Sequence, residues 1–274
     1  MKQIIVLCGD QPNQRALVNK LNSVIPISEL IVWKPNPKKR FSKLFQIAVN
    51  PLALLNFFAD FPYKHAWFVM LESYSEVNKK MPLKPSLVCQ NVNEIRVQEF
   101  LGDKRDALIV VSGTNLLSRQ FLESMDKSVK VINLHTGLSP YVKGGPNCTN
   151  WCLALNRLDL IGNTVMWLDS GIDSGDIIVS EQTNVFNVES LSDLHIRVMN
   201  HAHDLYVRAI EKIVSESPVN AISQKKFGVG DLYLTKDWTL SHKVRGIYYF
   251  YKEFRILKSQ NNDIEHILGV PLEN

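Results

Sequence analysis

Ala107-Leu108-Ile109-Val110-Val111 is an unbroken run of branched and small apolar side chains, and it stops abruptly at Ser112-Gly113-Thr114-Asn115. A strand with one solvated face alternates apolar and polar residues, whereas a strand covered on both faces has no polar side to present. This run therefore predicts a central strand of a sheet with helices packed above and below it. The start of the chain obeys the same rule. Residues 4–7 form a compact apolar run, followed by Gly9-Asp10-Gln11-Pro12 and a helical pattern over 13–24. Strand, tight loop and helix in that order open a doubly wound α/β unit.

Further strands are predicted at 30–33, 86–89 and 129–134, with helices at 92–101 and 119–125. The expected fold is α/β and Rossmann-like: a mostly parallel sheet with helices on both faces, which binds ligands at the carboxyl ends of its strands. Two later strands, at 164–168 and 176–182, flank the loop Asp169-Ser170-Gly171-Ile172-Asp173-Ser174-Gly175. A long helix over 188–214 is predicted from Leu191, Leu194, Val198 and Ala202 at three-to-four spacing. Beyond residue 215 the periodicity fades. A turn and strand are expected at 227–234, then an aromatic cluster of Tyr248, Tyr249, Phe250, Tyr251 and Phe254. The organisation read from this is a main domain over 1–218, a helical insertion over about 34–82, and a small C-terminal module over 219–274.

The insertion begins with Lys34-Pro35-Asn36-Pro37-Lys38-Lys39-Arg40 and continues as an apolar, helix-like stretch over 41–58 around Asn50-Pro51. A basic loop before an apolar helix can attach to a membrane surface. More often such a helix packs on the core, and that is the expectation here. The longest uncharged stretch, 45–59, is too short and too interrupted to cross a bilayer. The apolar run at the start is too short for a signal peptide. A cytoplasmic location is expected.

With 45% hydrophobic and 21% charged residues in 274, the chain can bury a substantial core. A net charge of +4 suits anionic small molecules but falls short of a nucleic-acid-binding signature, so no nucleic acid partner is expected. Cys8, Cys89, Cys148 and Cys152 read as free thiols. Cys148 and Cys152 lack a second Cys/His pair at finger-like spacing, and His201 and His203 do not share a helix face, so no metal is expected. The aromatic tail leaves a homodimer through the C-terminal module open.

Chemistry concentrates in Val131-Ile132-Asn133-Leu134-His135-Thr136-Gly137-Leu138-Ser139-Pro140. Side chains alternate along a strand, so Asn133 and His135 point the same way at the end of a central strand. By themselves they fit either a hydrogen-bonded core histidine or a site. Asp169 and Asp173 lie in the downstream loop, where a carboxylate near His135 would hold the ring and favour its charged form. Gly9, Asn13 and Arg15 belong to a loop and helix start suited to a phosphate, or equally to an ordinary capped helix with a surface arginine. Lys143, in Lys143-Gly144-Gly145-Pro146, either contacts a substrate or belongs to a plain turn.

Asn133-Leu134-His135 followed by Pro140, then Gly144-Gly145-Pro146, then the segment from Thr164 to Ile178 containing Gly171-Ile172-Asp173-Ser174-Gly175, resembles the folate-dependent formyltransferase family. That family includes glycinamide ribonucleotide, methionyl-tRNA and sugar-nucleotide formyltransferases. The similarity covers roughly residues 105–185 well and the first strand and helix loosely. It implies Asn133, His135 and Asp173 as catalytic residues and N10-formyltetrahydrofolate as formyl donor, without a metal. It also implies that Ser112, Gly113, Thr114, Asn115 and Leu117 hold the pterin through the strand-end loop, with Asp169 grouped beside them. Thr136-Gly137-Leu138-Ser139 departs from the family's commoner Pro-Ser-Leu-Leu or Gly-Ser-Leu-Leu, and the insertion is longer than in the minimal enzymes. The acceptor this implies is a small molecule, an amino sugar and in particular a nucleotide-linked one. The alternatives are a glycinamide ribonucleotide or methionyl-tRNA type of amine, or a non-catalytic folate- or nucleotide-binding protein of the same fold.

Overall fold

A computed structural model describes residues 2–36, 50–145, 147–216, 219–228 and 230–259. The apolar run at 107–111 becomes β4 (Ala107–Ser112), paired in parallel with β1 (Gln3–Gly9) on one side and β5 (Lys130–His135) on the other. Beyond β1 lie β2 (Glu29–Trp33) and β3 (Leu87–Cys89), also parallel. Beyond β5 lie β7 (Gly162–Trp167) and β8 (Ile177–Gln182), both antiparallel to their neighbours. The seven-stranded sheet therefore runs β3-β2-β1-β4-β5-β7-β8.

Alternation along the central strands explains the layering. Ile4, Val6 and Cys8 of β1 and Leu108 and Val110 of β4 pack with α1 (Pro12–Val24) and α6 (Leu191–Ser215). Ile5, Leu7, Ile109 and Val111 point the other way, into a cluster with α3 (Ile95–Gly102) and α4 (Arg119–Glu123). Both faces are covered, so residues 4–8 and 107–111 of these strands carry no charged or amide side chain. The strand order reverses between β1 and β4, and Gly9 and Gly113 meet at that seam. A Cβ on Gly9 would lie 2.7 Å from the Gly113 carbonyl oxygen, so only glycine allows the two strand ends to close.

Within the insertion, α2 (Pro51–Ser75) is described, while residues 37–49, which include the first half of the predicted 41–58 helix, lie outside the described residues. Asn50-Pro51 starts a helix. The Asn50 side chain accepts from the backbone N–H groups of Leu52 and Ala53, and Pro51 occupies the first turn, where its missing N–H costs nothing. Tyr63, Ala66 and Met70 form the buried side of α2.

The chain beyond residue 215 is more regular than its sequence suggests. A 3₁₀ turn over Gln224–Phe227 leads to β9 (Asp231–Tyr233), which pairs in parallel with β6 (Val142–Gly144). The aromatic segment is part of α7 (Leu240–Ser259), on which the Phe250 and Phe254 rings pack with centroids 4.7 Å apart. Phe250 and Phe254 enter a core with Trp151 of α5 (Cys148–Ala154), Tyr63 and Leu194, while Tyr248 and Tyr251 face solvent. Four consecutive aromatics at 248–251 mask the helical spacing of Phe250 and Phe254.

Candidate active site

Asn133 and His135 stand on one face at the carboxyl end of β5, as the strand period requires. The His135 ring is buried, and both of its nitrogens face acceptors: Nδ1 is 3.2 Å from Asp173 Oδ2 and Nε2 is 2.9 Å from the Val142 carbonyl oxygen. A neutral imidazole has one N–H and would leave one of these contacts unmatched, whereas the imidazolium donates to both. Burial alone would depress the pKa. The Cys148 sulfur, 3.5 Å from Nε2, the Asp173 carboxylate and the Val142 carbonyl outweigh it and hold the ring above the ordinary imidazole value.

The turn after β5 makes this arrangement possible. Chain 136–142 curls back so that the Val142 carbonyl reaches the ring. At its inner surface Gly137 is required, since a Cβ there would lie 2.6 Å from His135 Nε2 and 2.9 Å from Cys148 Cβ. Asp173 is held from three sides. Its Oδ2 accepts from the Gly144 N–H at 3.0 Å as well as facing His135, its φ of 48° lies in the left-handed region, and its carbonyl accepts from Gln224 Nε2 at 2.9 Å. Gln224 Nε2 also donates to the Gly175 carbonyl at 2.8 Å.

Two adjoining cavities share Asn133, Asp173, Leu116 and Ile172. One extends over Leu117, Trp167, Leu168 and the loop 169–175. The other reaches His135, Thr136, Gly144, Gly145, Leu234 and Thr235. Asn133 is thus at the junction, half-buried, with the His135–Asp173 pair opening on the same space.

The remaining residues singled out in the sequence divide. Ser112 ends β4, and Gly113, Thr114, Asn115 and Leu117 belong to the loop after it, which an asparagine network braces. Asn115 Oδ1 accepts from the Val92 N–H at 3.1 Å, its Nδ2 donates to Asn91 at 3.0 Å, and Asn93 Nδ2 donates to the Leu116 carbonyl at 2.9 Å. That bracing leaves the Leu116 side chain 67% exposed against both cavities. Asp169 lines the first cavity, and its Oδ1 accepts from the Gly171 N–H and the Ser174 hydroxyl, the pattern of a turn former.

Gly9, Asn13 and Arg15 lie at the carboxyl end of β1 and the start of α1, and none of them lines these cavities. Gly9 closes the seam with Gly113, and Asn13 is buried with Nδ2 on Met199 Sδ. Arg15 is engaged by Asp10 Oδ1 at 2.8 Å and the Lys79 carbonyl at 3.0 Å. Its guanidinium braces the loop against the end of the insertion. Lys143 stands in β6, between Val142 and Gly144, whose backbone groups contact His135 and Asp173.

Sequence reasoning missed Gln224, Cys148 and the Leu234-Thr235 wall. Cys148 belongs to a helix start capped by Asn147, whose side chain accepts from the Asn150 N–H, and nothing in its local sequence announces a histidine partner. Among the described residues no group of three His, Cys, Asp or Glu side chains is placed to hold a metal ion.

The sequence profile described as Formyl transferase matches residues 74–210. A methionyl-tRNA formyltransferase from Clostridium novyi is 33% identical over 204 residues, covering 74% of this chain and 56% of that protein. Matched segments span from 34% to 56% of the length of such curated relatives. Among solved structures, a sugar N-formyltransferase from a Shewanella species superposes with a TM-score of 0.57 at 13% identity, over 90% of this chain and 87% of that one. An N-formyltransferase from Helicobacter canadensis, solved with folinic acid and dTDP-3-aminofucose, superposes with a TM-score of 0.55 at 13% identity, over 93% and 82%. At those identities the superpositions establish the shared fold.

Proposed function

The chain belongs to the formyl transferase family, and on that basis we propose that it moves a formyl group from N10-formyltetrahydrofolate to the amine of a nucleotide-linked amino sugar. One observation carries the reading: the 3.2 Å approach of His135 Nδ1 to Asp173 Oδ2, beside Asn133 and open to one cavity. A structural histidine has no need of a neighbouring asparagine at a cavity junction.

The donor's flat ring is assigned to the first cavity by the character of its walls. Leu116, Leu117, Trp167 and Leu168 offer apolar walls, and loop 169–175 offers polar backbone at the edge. Bound there, N10-formyltetrahydrofolate supplies the formyl carbon. Asn133 donates from its amide to the formyl oxygen as the amine adds, a contribution typically worth ~3 kcal/mol. The His135 imidazolium places positive charge beside the same oxygen, and Asp173 fixes the ring and keeps it charged. The amine loses one proton as its N–C bond forms, taken up through water by Asp173. The tetrahedral adduct then collapses by breaking the C–N10 bond. N10 of the departing tetrahydrofolate takes up one proton, so that amine and formyl donor become formamide and tetrahydrofolate. Holding two substrates side by side provides much of the remaining acceleration.

The amino sugar is favoured because the Helicobacter canadensis enzyme, alike in fold, was solved with such a nucleotide. The 33% identity to a methionyl-tRNA formyltransferase supports a second reading, with the amine on methionyl-tRNA. The deciding experiment offers the protein N10-formyltetrahydrofolate with amino-sugar nucleotides, glycinamide ribonucleotide and methionyl-tRNA in parallel. Mass gain on a sugar nucleotide is the expected result. Gain on methionyl-tRNA alone selects the second reading, and gain on none refutes both.

A further inference from the structure

At the opposite end of β5 from His135 the sheet opens a second time. Helix α4 is short and α6 ends at Ser215, which leaves a gap between them beside Lys130 and Val131. The gap is a cavity of about 650 Å³, within the range of small-molecule sites. Its floor is apolar, made by Leu122, Met125, Val131, Trp167, Leu168 and Ile213. Val131 and Ile213 are buried, and the other four are left partly exposed where the packing of the two sheet faces ends.

Lys2, Lys127 and Lys130 line the same cavity, the last two at the exposed surface. Among the described residues their ammonium groups have no ion pair or hydrogen bond. The two acids beside them are already engaged. Glu123 is paired with Arg119 at 2.6 Å, and Asp126 with Arg105 at 3.2 Å and with the Ser128 hydroxyl at 2.6 Å. Three unshared positive charges therefore stand around an apolar floor.

We propose that this cavity binds an amphipathic carboxylate, a small molecule with a hydrocarbon body and one anionic head. The body removes the apolar floor from water, and the head meets lysines whose charge no neighbour offsets. A neutral hydrocarbon would make no use of the lysines, and a cation would be repelled by them. Asn133, His135 and Asp173 do not line this cavity, so the inference does not depend on the proposed reaction. Trp167 and Leu168 do wall the first active-site cavity as well, so the test includes a competitor for that site.

The probe is decanoate, titrated into the full chain by calorimetry, with 1-decanol as its neutral counterpart and butyrate as its short one. One decanoate is expected per chain, bound at least about tenfold more tightly than either counterpart and more weakly as salt is raised. Lys127→Gln/Lys130→Gln, altered only at exposed positions, is expected to keep its circular dichroism spectrum and lose about tenfold in decanoate affinity. Phe57→Ser/Phe58→Ser, on the exposed apolar side of α2, is expected to bind decanoate as the native chain does. Absence of decanoate binding, affinity for either counterpart equal to that for decanoate, or equal affinity in the lysine variant overturns the proposal. So does loss of binding in the α2 variant, which would place the ligand there, and so does displacement by folinic acid, which would assign the cavity to the formyl donor.

Discussion

Gln224 donates from one amide nitrogen to the carbonyls of Asp173, at 2.9 Å, and of Gly175, at 2.8 Å. A residue beyond the long helix α6 therefore sets the loop whose carboxylate meets His135. Gln224→Ala leaves two carbonyls without their donor, a loss of about 1–3 kcal/mol that falls on the loop. The expected outcome is a kcat reduced roughly tenfold or more with little change in KM for the donor. A variant with unchanged kcat would remove Gln224 from any positioning role.

Asp173→Asn tests the carboxylate without disturbing the backbone, because asparagine tolerates the left-handed conformation that φ of 48° demands. The negative charge is one of the causes that hold His135 above its ordinary pKa. Its removal is expected to move the His135 titration downward, read by NMR of the ring protons, and to abolish turnover. An unmoved titration would mean that Asp173 does not govern the charge on the ring.

How much of this was legible in the sequence depends on distance along the chain. The buried run 107–111 announced the sheet because its alternation was absent, and Asn133 and His135 shared a face because strand geometry requires it. Asp173 emerged from its loop motif. Gln224 did not, because it acts through a side-chain amide on carbonyls about fifty residues upstream, a contact that no local pattern encodes. Asn50-Pro51 looked like a break and proved to be a cap and a first turn. Arg15 looked available for an anion, and Asp10 and the Lys79 carbonyl occupy it.

Gly137→Ala adds one methyl group where a Cβ would lie 2.6 Å from His135 Nε2 and 3.0 Å from the Val142 carbonyl oxygen. The ring and its acceptor must separate to admit it. Activity is expected to fall by two orders of magnitude or more, roughly, with a smaller loss of stability of ~1–3 kcal/mol. Parallel thermal melts and initial rates check this; equal activity would show that the ring position is not critical.

Acid is expected to loosen the contact between α2 and α6. His195 of α6 stands edge-on to Trp67, and His203 lies against Tyr74. Burial holds His195 down at about 4, and burial with the nearby Lys20 charge holds His203 at about 3. Both folded values lie below the unfolded value of about 6.5, so the unfolded chain takes up protons first as pH falls. The contribution of these two histidines is therefore complete above that pH and declines below it, by up to about 1.4 kcal/mol per pH unit per histidine. His135, held above its ordinary value, contributes the opposite slope above that pH and almost none well below it. Urea melts from about pH 6 to about pH 5, where His135 is largely protonated in the folded and unfolded chain alike, are expected to show the decline, and His195→Phe is expected to reduce its slope by about half. A slope unchanged by that substitution would place the acid sensitivity elsewhere.

The most direct test of the formyl-transfer reading is mass spectrometry of the acceptor panel with N10-formyltetrahydrofolate, run side by side for the native chain, Asn133→Ala and His135→Ala. The native chain is expected to add one carbonyl unit to an amino-sugar nucleotide, Asn133→Ala to do so about a hundredfold or more slowly, and His135→Ala not at all. Native-like rates in His135→Ala, or no formylated amine with the native chain, would contradict it.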